Sequence, residues 1–128
     1  DYLRNRGIDI PRKKIDQIKD SVKNIIIYLK ENFNRPRPSH VAKFYDIDWT
    51  PDYLDSAQTA SYPSGHTIQA YVCAGWLADQ YPEHSKGLFM IAELISQSRI
   101  DRGVHFHTDI DYGRVVAKDL LNALFLIL

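Results

Sequence analysis

The chain has 128 residues, enough for one domain with a real core and too few for two. Hydrophobic residues make up 45% and charged residues 25%, the balance of a soluble globular protein, and the formal net charge is +0. No global field therefore favours nucleic acid or an anionic membrane surface, and any anion site has to be a local cluster of basic residues.

In chain order, GIDIPRKKIDQIKDSVKNIIIYLKENF predicts a first helix, with Asp9 as its cap and Pro11 at an early helical position. Ile15, Ile18, Val22, Ile25 or Ile26, Leu29 and Phe33 recur at three and four and form one apolar stripe. NRPRPSH then breaks the helix with Pro36 and Pro38. Val41 to Tyr62 reads as a long irregular loop with a short helix near Pro51 to Ala57, and loops of that length tend to be functional. SYPSGH is a turn. TIQAYVCAGWLADQY after it predicts a buried helix that Tyr81-Pro82 ends. A further helix runs from about His84 to Gln97. The last opens near Thr108 and continues to the C-terminus, with a stripe of Ile110, Gly113, Ala117, Leu120 or Leu121, Leu124 and Leu128. No alternating strand is evident, so the expectation is an all-α helical bundle forming a single domain over residues 1–128.

Cys73 is the only cysteine, which excludes an internal disulfide and a thiolate metal cage. The longest apolar runs, Ile25 to Leu29 with its Tyr28 and Ala123 to Leu128, are far short of a membrane span. No secretory signal is visible, and a start at Asp1 leaves room for a removed leader or trimmed ends.

Four pieces of the chain suit an anion. Lys30 ends the first helix and Arg37 lies in the proline-rich turn, although each alone reads as a solvated basic residue. Ser64 and Gly65 lead straight into a helix start, where outward N–H groups favour an anion; an N-cap with a glycine turn is the plainer reading, but capping does not need His66. Arg99 closes the fourth helix, where it also complements the helix dipole. If the last helix starts near His105, then His105 and Asp109 share a face, and Asp109 holds one ring nitrogen and frees the other. Asp109 equally suits a helix N-terminus. HFHTDID also admits a metal reading through His105, His107, Asp109 and Asp111.

Taken together, Lys30, six residues, Arg37-Pro38, then Pro63-Ser64-Gly65-His66, then Ser98-Arg99, five residues, His105, three residues and Asp109 resemble the three-part signature of the type 2 phosphatidic acid phosphatase superfamily. That superfamily includes bacterial class A nonspecific acid phosphatases, membrane lipid phosphatases and vanadium-dependent haloperoxidases. SYPSGHT and QSR…GVH…D…GR resemble the acid phosphatase branch. Against that branch the chain is short, so terminal helices are expected to be missing, and Arg102 and His107 lie outside the signature.

The resemblance implies a helical bundle and a metal-independent hydrolysis of phosphate monoesters. It makes His105 the nucleophile that forms a phosphohistidine, Asp109 its support, and His66 the acid for the leaving alcohol and then the base for water. Lys30, Arg37 and Arg99 hold the phosphoryl oxygens, and Ser64 and the Gly65 N–H complete the cradle. No cofactor is implied, and vanadate enters as an inhibitor. The partner is a phosphorylated small molecule, with no nucleic acid and no integral membrane span. The branch implies a periplasmic location, while a cytoplasmic one also fits the composition.

The metal reading then weakens. Ile110 stands where a binuclear metallo-hydrolase motif has its final His, no strand precedes the stretch, and three cations would repel the ion. A haloperoxidase with vanadate as cofactor uses the same pocket. Two more readings stay open at this point: a noncatalytic anion-binding module, and a membrane-surface lipid phosphatase with an apolar rim of Phe33, Phe44, Tyr45 and Trp49.

Overall fold

The computed structural model describes residues 1–49, 51 and 58–127. Helix α1 spans Arg12–Phe33, α2 Pro38–Phe44, α3 Gly65–Gln80, α4 Ser85–Asp101 and α5 His107–Ile127, with short 3₁₀ turns at Arg4–Arg6 and Pro82–His84. Among the described residues there is no strand, as the sequence pattern implied. The short helix expected near Pro51 to Ala57 falls on residues 52–57, outside the described residues.

The apolar stripe of α1 is the seam that buries it. Ile18, Val22 and Ile26 are buried against Ile68, Val72 and Trp76 of α3 and against Val116 and Ala117 of α5. Of the two candidates in the stripe, Ile26 turns inward and Ile25 is exposed. A second cluster joins Ala74 of α3 to Leu88 and Ala92 of α4 and to Leu3 of the N-terminal segment. Helix α3 therefore contacts α1, α4 and α5 and is apolar around most of its surface.

Helix ends account for most departures from expectation. Asp9 does not cap α1; Pro11 takes the N-cap position with no side-chain capping bond, because Asp9 lies two residues too early. Asn34 ends α1 in the left-handed region, φ 49°, with its N–H on the Lys30 carbonyl, a conformation that asparagine tolerates well. The prolines that break α1 also start α2. Pro38 occupies its first turn and holds Arg37 extended at the N-cap, so the chain is helical where an irregular loop was expected. Helix α4 runs one turn beyond Gln97 to Asp101, and the serines of its polar end turn back onto it: Ser96 Oγ donates to Ala92 O and Ser98 Oγ to Ile95 O.

Helix α5 opens at His107, so His105 precedes it and is not on its face. Contact with Asp109 arises another way. Asp109 sits in the first turn and accepts the Phe106 N–H at 2.8 Å, the return half of a capping box. The carboxylate that reaches back to cap the helix thereby reaches His105 as well.

Gly113 sets how closely α5 approaches α3. A Cβ there would lie 3.0 Å from Thr67 Cβ and Cγ2 and 3.2 Å from the Ser64 carbonyl. Overpacking of this kind costs about 1–3 kcal/mol, against a helix-propensity gain of about 1 kcal/mol for Ala over Gly. Gly113→Ala is therefore expected to lower stability in urea denaturation by up to about 2 kcal/mol. A stabilised variant would mean that the α3–α5 approach is not tight.

Candidate active site

Several parts of the signature meet at a cavity of about 420 Å3 whose wall includes Lys30, Arg37, Gly65, His66 and His105. Lys30 comes from the last turn of α1, Arg37 from the N-cap of α2, and Gly65 and His66 from the first turn of α3. Ser64, Arg99 and Asp109 are buried in the protein next to that wall. Ser64 Oγ accepts the Thr67 N–H at 3.2 Å, so it does cap the helix; as a hydroxyl it still has a proton to donate. A Cβ on Gly65 would lie 3.2 Å from Ile26 and 3.6 Å from the Lys30 side chain, which gives the glycine its reason. Arg102 and His107 are exposed.

The tautomer of His105 follows from its neighbours. Arg37 Nη1 lies 2.9 Å from His105 Nε2, and a guanidinium can only donate. Nε2 is therefore the acceptor, and Nδ1 carries the proton that it donates to Asp109 Oδ2 at 3.1 Å. Asp109 also accepts from Ser61 Oγ at 2.8 Å and from Arg35 Nη1 at 2.8 Å. The sequence pattern singles out neither Arg35 nor Ser61. Their signal is faint: Ser61 opens the SYPSGH turn, and Arg35 is one more basic residue beside Pro36.

The cations are parked on backbone oxygens. Lys30 Nζ donates to Ala60 O at 2.6 Å, and Arg37 donates through Nε to Thr59 O at 2.7 Å and through Nη1 to Val104 O at 3.1 Å. The four groups of the metal reading do not converge. His105 and Asp109 are buried, whereas His107 and Asp111 are exposed and Asp111 pairs with Arg114. Among the described residues no three His, Cys, Asp or Glu side chains are grouped as metal ligands.

Comparison with known proteins matches the same stretch. The model of the PAP2 superfamily aligns with residues 21–127. The chain belongs to that superfamily. It is 32% identical over 99 residues to an acid phosphatase of Zymomonas mobilis, covering 74% of this chain and 36% of that protein. It is 32% identical over 97 residues to a non-specific acid phosphatase of Providencia stuartii, covering 74% and 38%. The chain thus spans well under half the length of these relatives. Among solved structures it is similar to the first transmembrane PAP2 type phosphatidylglycerolphosphate phosphatase from Bacillus subtilis, with a TM-score of 0.58, 26% identity, and coverage of 89% of this chain and 58% of that one. No helix among the described residues of this superfamily member is long and apolar enough to cross a membrane.

Burial, and after it the neighbouring charges, shifts the titrating groups. Burial, then Arg37, pushes Lys30 down to about 8. Burial, then Arg99, His105 and Lys30, pushes His66 down to about 4. Burial takes His105 to about 4 although the Asp109 hydrogen bond pulls upward. Burial alone would raise Asp109, but hydrogen bonds from His105, Phe106 N and Ser61 outweigh it and hold the carboxyl below its usual range.

These shifts fix a sign. Both histidines titrate lower folded than unfolded, so between 6.5 and about 4 the unfolded chain binds more protons. Stability then rises with pH across that window and is lost on acidification. Thermal melts at about pH 7 and about pH 4.5 should differ accordingly, and His66→Gln should flatten the dependence. Equal melting temperatures, with His66→Gln no different, would mean that neither ring is held neutral.

Proposed function

We propose that this superfamily member is a phosphatase that hydrolyses phosphate monoesters through a phosphohistidine. The observation that carries the reading is His105, with Nδ1–H tied to a buried carboxylate and Nε2 turned toward a cationic pocket. The acid phosphatase relatives support it.

In this reading Nε2 attacks phosphorus in line, the P–O bond to the alcohol breaks, and His66 gives the leaving oxygen a proton. Asp109 supports the positive charge that grows on the His105 ring. His66, now neutral, takes a proton from water as that water attacks the phosphohistidine, releasing phosphate and restoring His105. Lys30, Arg37 and Arg99 stabilise the nonbridging oxygens. Arg37 Nη1 exchanges Nε2 for a phosphoryl oxygen as substrate enters. Ser64 and the Gly65 N–H, at the N-terminus of α3, complete the cradle.

Burial and then the surrounding charges hold His66 at about 4, too low for an acid at mild pH. A phosphate dianion beside the ring opposes that shift: its charge favours the imidazolium that burial disfavours, and it offsets the cations that add to the effect of burial. Substrate binding thus supplies its own general acid. Sulfate, a dianion at about pH 6, should take up a proton on binding, measurable as buffer-dependent binding enthalpy; a heat independent of buffer would count against this role for His66. Vanadate, which mimics the five-coordinate transition state, is expected to bind more tightly than phosphate.

The chemical test separates the two histidines. His105→Ala should lower turnover of p-nitrophenyl phosphate by roughly 10³-fold or more. His66→Ala should release a burst of nitrophenolate, since that leaving group needs little protonation, and then stall with phosphate on His105. An alkaline quench and peptide mapping would place the label. A label on Ser64, or none with His66→Ala, would sink the mechanism. Activity should also survive prolonged chelation; loss restored by zinc or magnesium would revive metal chemistry.

One observation favours a second reading, in which the leaving group is long and apolar, as in a lipid phosphate. His66 and Gln69 also line a cleft of about 270 Å3 that continues between α3 and α4 past Cys73, Leu77 and Ile95. The leaving group departs on the His66 side, toward that cleft. Over a series of alkyl phosphates, kcat/KM should rise with chain length in this reading, and Ile95→Asp should abolish the rise. A flat series would assign the chain to small polar esters.

A further inference from the structure

We infer that Arg35 is a positioning residue that acts through Asp109, by neutralising the carboxylate oxygen turned away from His105. The inference rests on the reading of His105 and Asp109 as nucleophile and support.

Asp109 is fully buried, with 0% exposure. Its Oδ2 receives His105 Nδ1, Phe106 N and Ser61 Oγ. Its Oδ1 receives Arg35 Nη1 at 2.8 Å, the one side-chain donor to that oxygen among the described residues. Arg35 Nη1 is also 2.6 Å from Thr108 Oγ1, which ties the guanidinium to the first turn of α5.

Arg35 is held in two further ways. Its guanidinium lies over the Tyr62 ring, 4.1 Å from the centroid. Tyr62 stacks on Tyr112 of α5, with centroids 4.8 Å apart and planes 3° apart, and Phe33 of α1 meets both rings edge-on. At the backbone, Ser61 N donates to Arg35 O at 2.8 Å. The same two residues are thus joined through the main chain and each grips one oxygen of the carboxylate. A cation fixed this firmly is built for a purpose, and Arg35 is not among the residues that line the phosphoryl pocket.

The consequence concerns charge on the nucleophile. An unopposed carboxylate at His105 Nδ1 would stabilise the imidazolium and keep Nε2 protonated in mild acid. Arg35 takes up part of that negative charge, so Asp109 orients the ring without over-stabilising its charged form. Other charges face the pair from each neighbouring element: Lys30 from α1, Arg37 from α2, His66 from α3 and, beyond His66, Arg99 from α4. All are retained when Arg35 alone is changed.

The test compares Arg35→Gln and Arg35→Lys with the wild type by steady-state kinetics on p-nitrophenyl phosphate and by NMR titration of the His105 ring. Arg35→Gln should lower kcat by roughly ten- to a hundredfold, the scale of one charge-assisted hydrogen bond, with little change in KM. The acid limb of kcat/KM and the His105 titration should both move to higher pH. Arg35→Lys restores the charge without the planar stack on Tyr62 and should recover part of both. If Arg35→Gln fails to fold, Tyr62→Leu removes the platform beneath Arg35 and should move His105 in the same direction by less. Wild-type kcat with an unmoved titration in Arg35→Gln would overturn the inference. So would a lower rate explained by lower melting temperature alone, with His105 titrating as before. Full turnover by His105→Ala or Asp109→Asn would instead overturn the phosphohistidine reading, and the titration shift would still report whether Arg35 and His105 are coupled.

Discussion

The rest of the structure depends on a buried carboxylate. Asp109 is closed off from water, and its charge is tolerable only because four donors converge on it. Those donors come from separate parts of the chain: Arg35 from the α1–α2 connection, Ser61 from the loop before α3, and His105 and Phe106 from the entry to α5. Each segment is irregular and could not hold its geometry by helical hydrogen bonding. The carboxylate makes them one rigid unit. Removing it would leave several buried donors unpaired at once, which costs far more than the net value of any one bond.

That unit also explains how so many cations share a small pocket. Burial first, and then neighbouring cations, depress their affinity for protons: Arg37 and Arg99 act on Lys30, and Arg99 acts on Arg37. Lys30 and Arg37 rest on the carbonyls of Thr59, Ala60 and Val104, and among the described residues no carboxylate forms a close ion pair with either. Neutral carbonyls satisfy the donors without using up the charge. The loop that carries Thr59 and Ala60 is the one Asp109 anchors through Ser61. That loop fixes where Lys30 and Arg37 point, and in the proposed reading their charge is available to a phosphoryl dianion.

The helices were legible because burial writes period 3.6 into the sequence of α1 and α5, which carry long stripes, and makes α3 a long apolar run. Element ends were less so. Pro36 and Pro38 read as a stop, yet a proline at the first helical position is also a start, and nothing local says which applies. Asp9 looked like a cap because it precedes the stripe; the chain places Pro11 there instead. The signature residues were legible as a set, since their types and spacings match a superfamily pattern. Their partners were not. Ser61 and Arg35 act on Asp109 across 48 and 74 positions of sequence, and a contact of that range leaves no periodicity to read.

The fixed spacings within the signature now have a mechanical reason. Lys30 and Arg37 must face one cavity although they belong to different helices. Asn34 in the left-handed region turns the chain at the end of α1, and Pro38 holds Arg37 extended at the start of α2. One residue more or fewer between them would rotate α2 or displace Arg37 from the Thr59 and Val104 carbonyls. The gap from Arg99 to His105 obeys the same logic. Helix α4 ends at Asp101, Gly103 takes φ 76°, and Val104 N–H returns to the Arg99 carbonyl at 3.2 Å. Trp49 closes over that turn, with its Nε1–H on Gly103 O at 3.3 Å. A side chain at position 103 would meet the Trp49 ring at 2.8 Å and strain the backbone as well. The turn is thus as closely specified as the residues it carries. What the spacing preserves is the direction in which His105 enters the pocket, with Nδ1 toward Asp109 and Nε2 toward the cations.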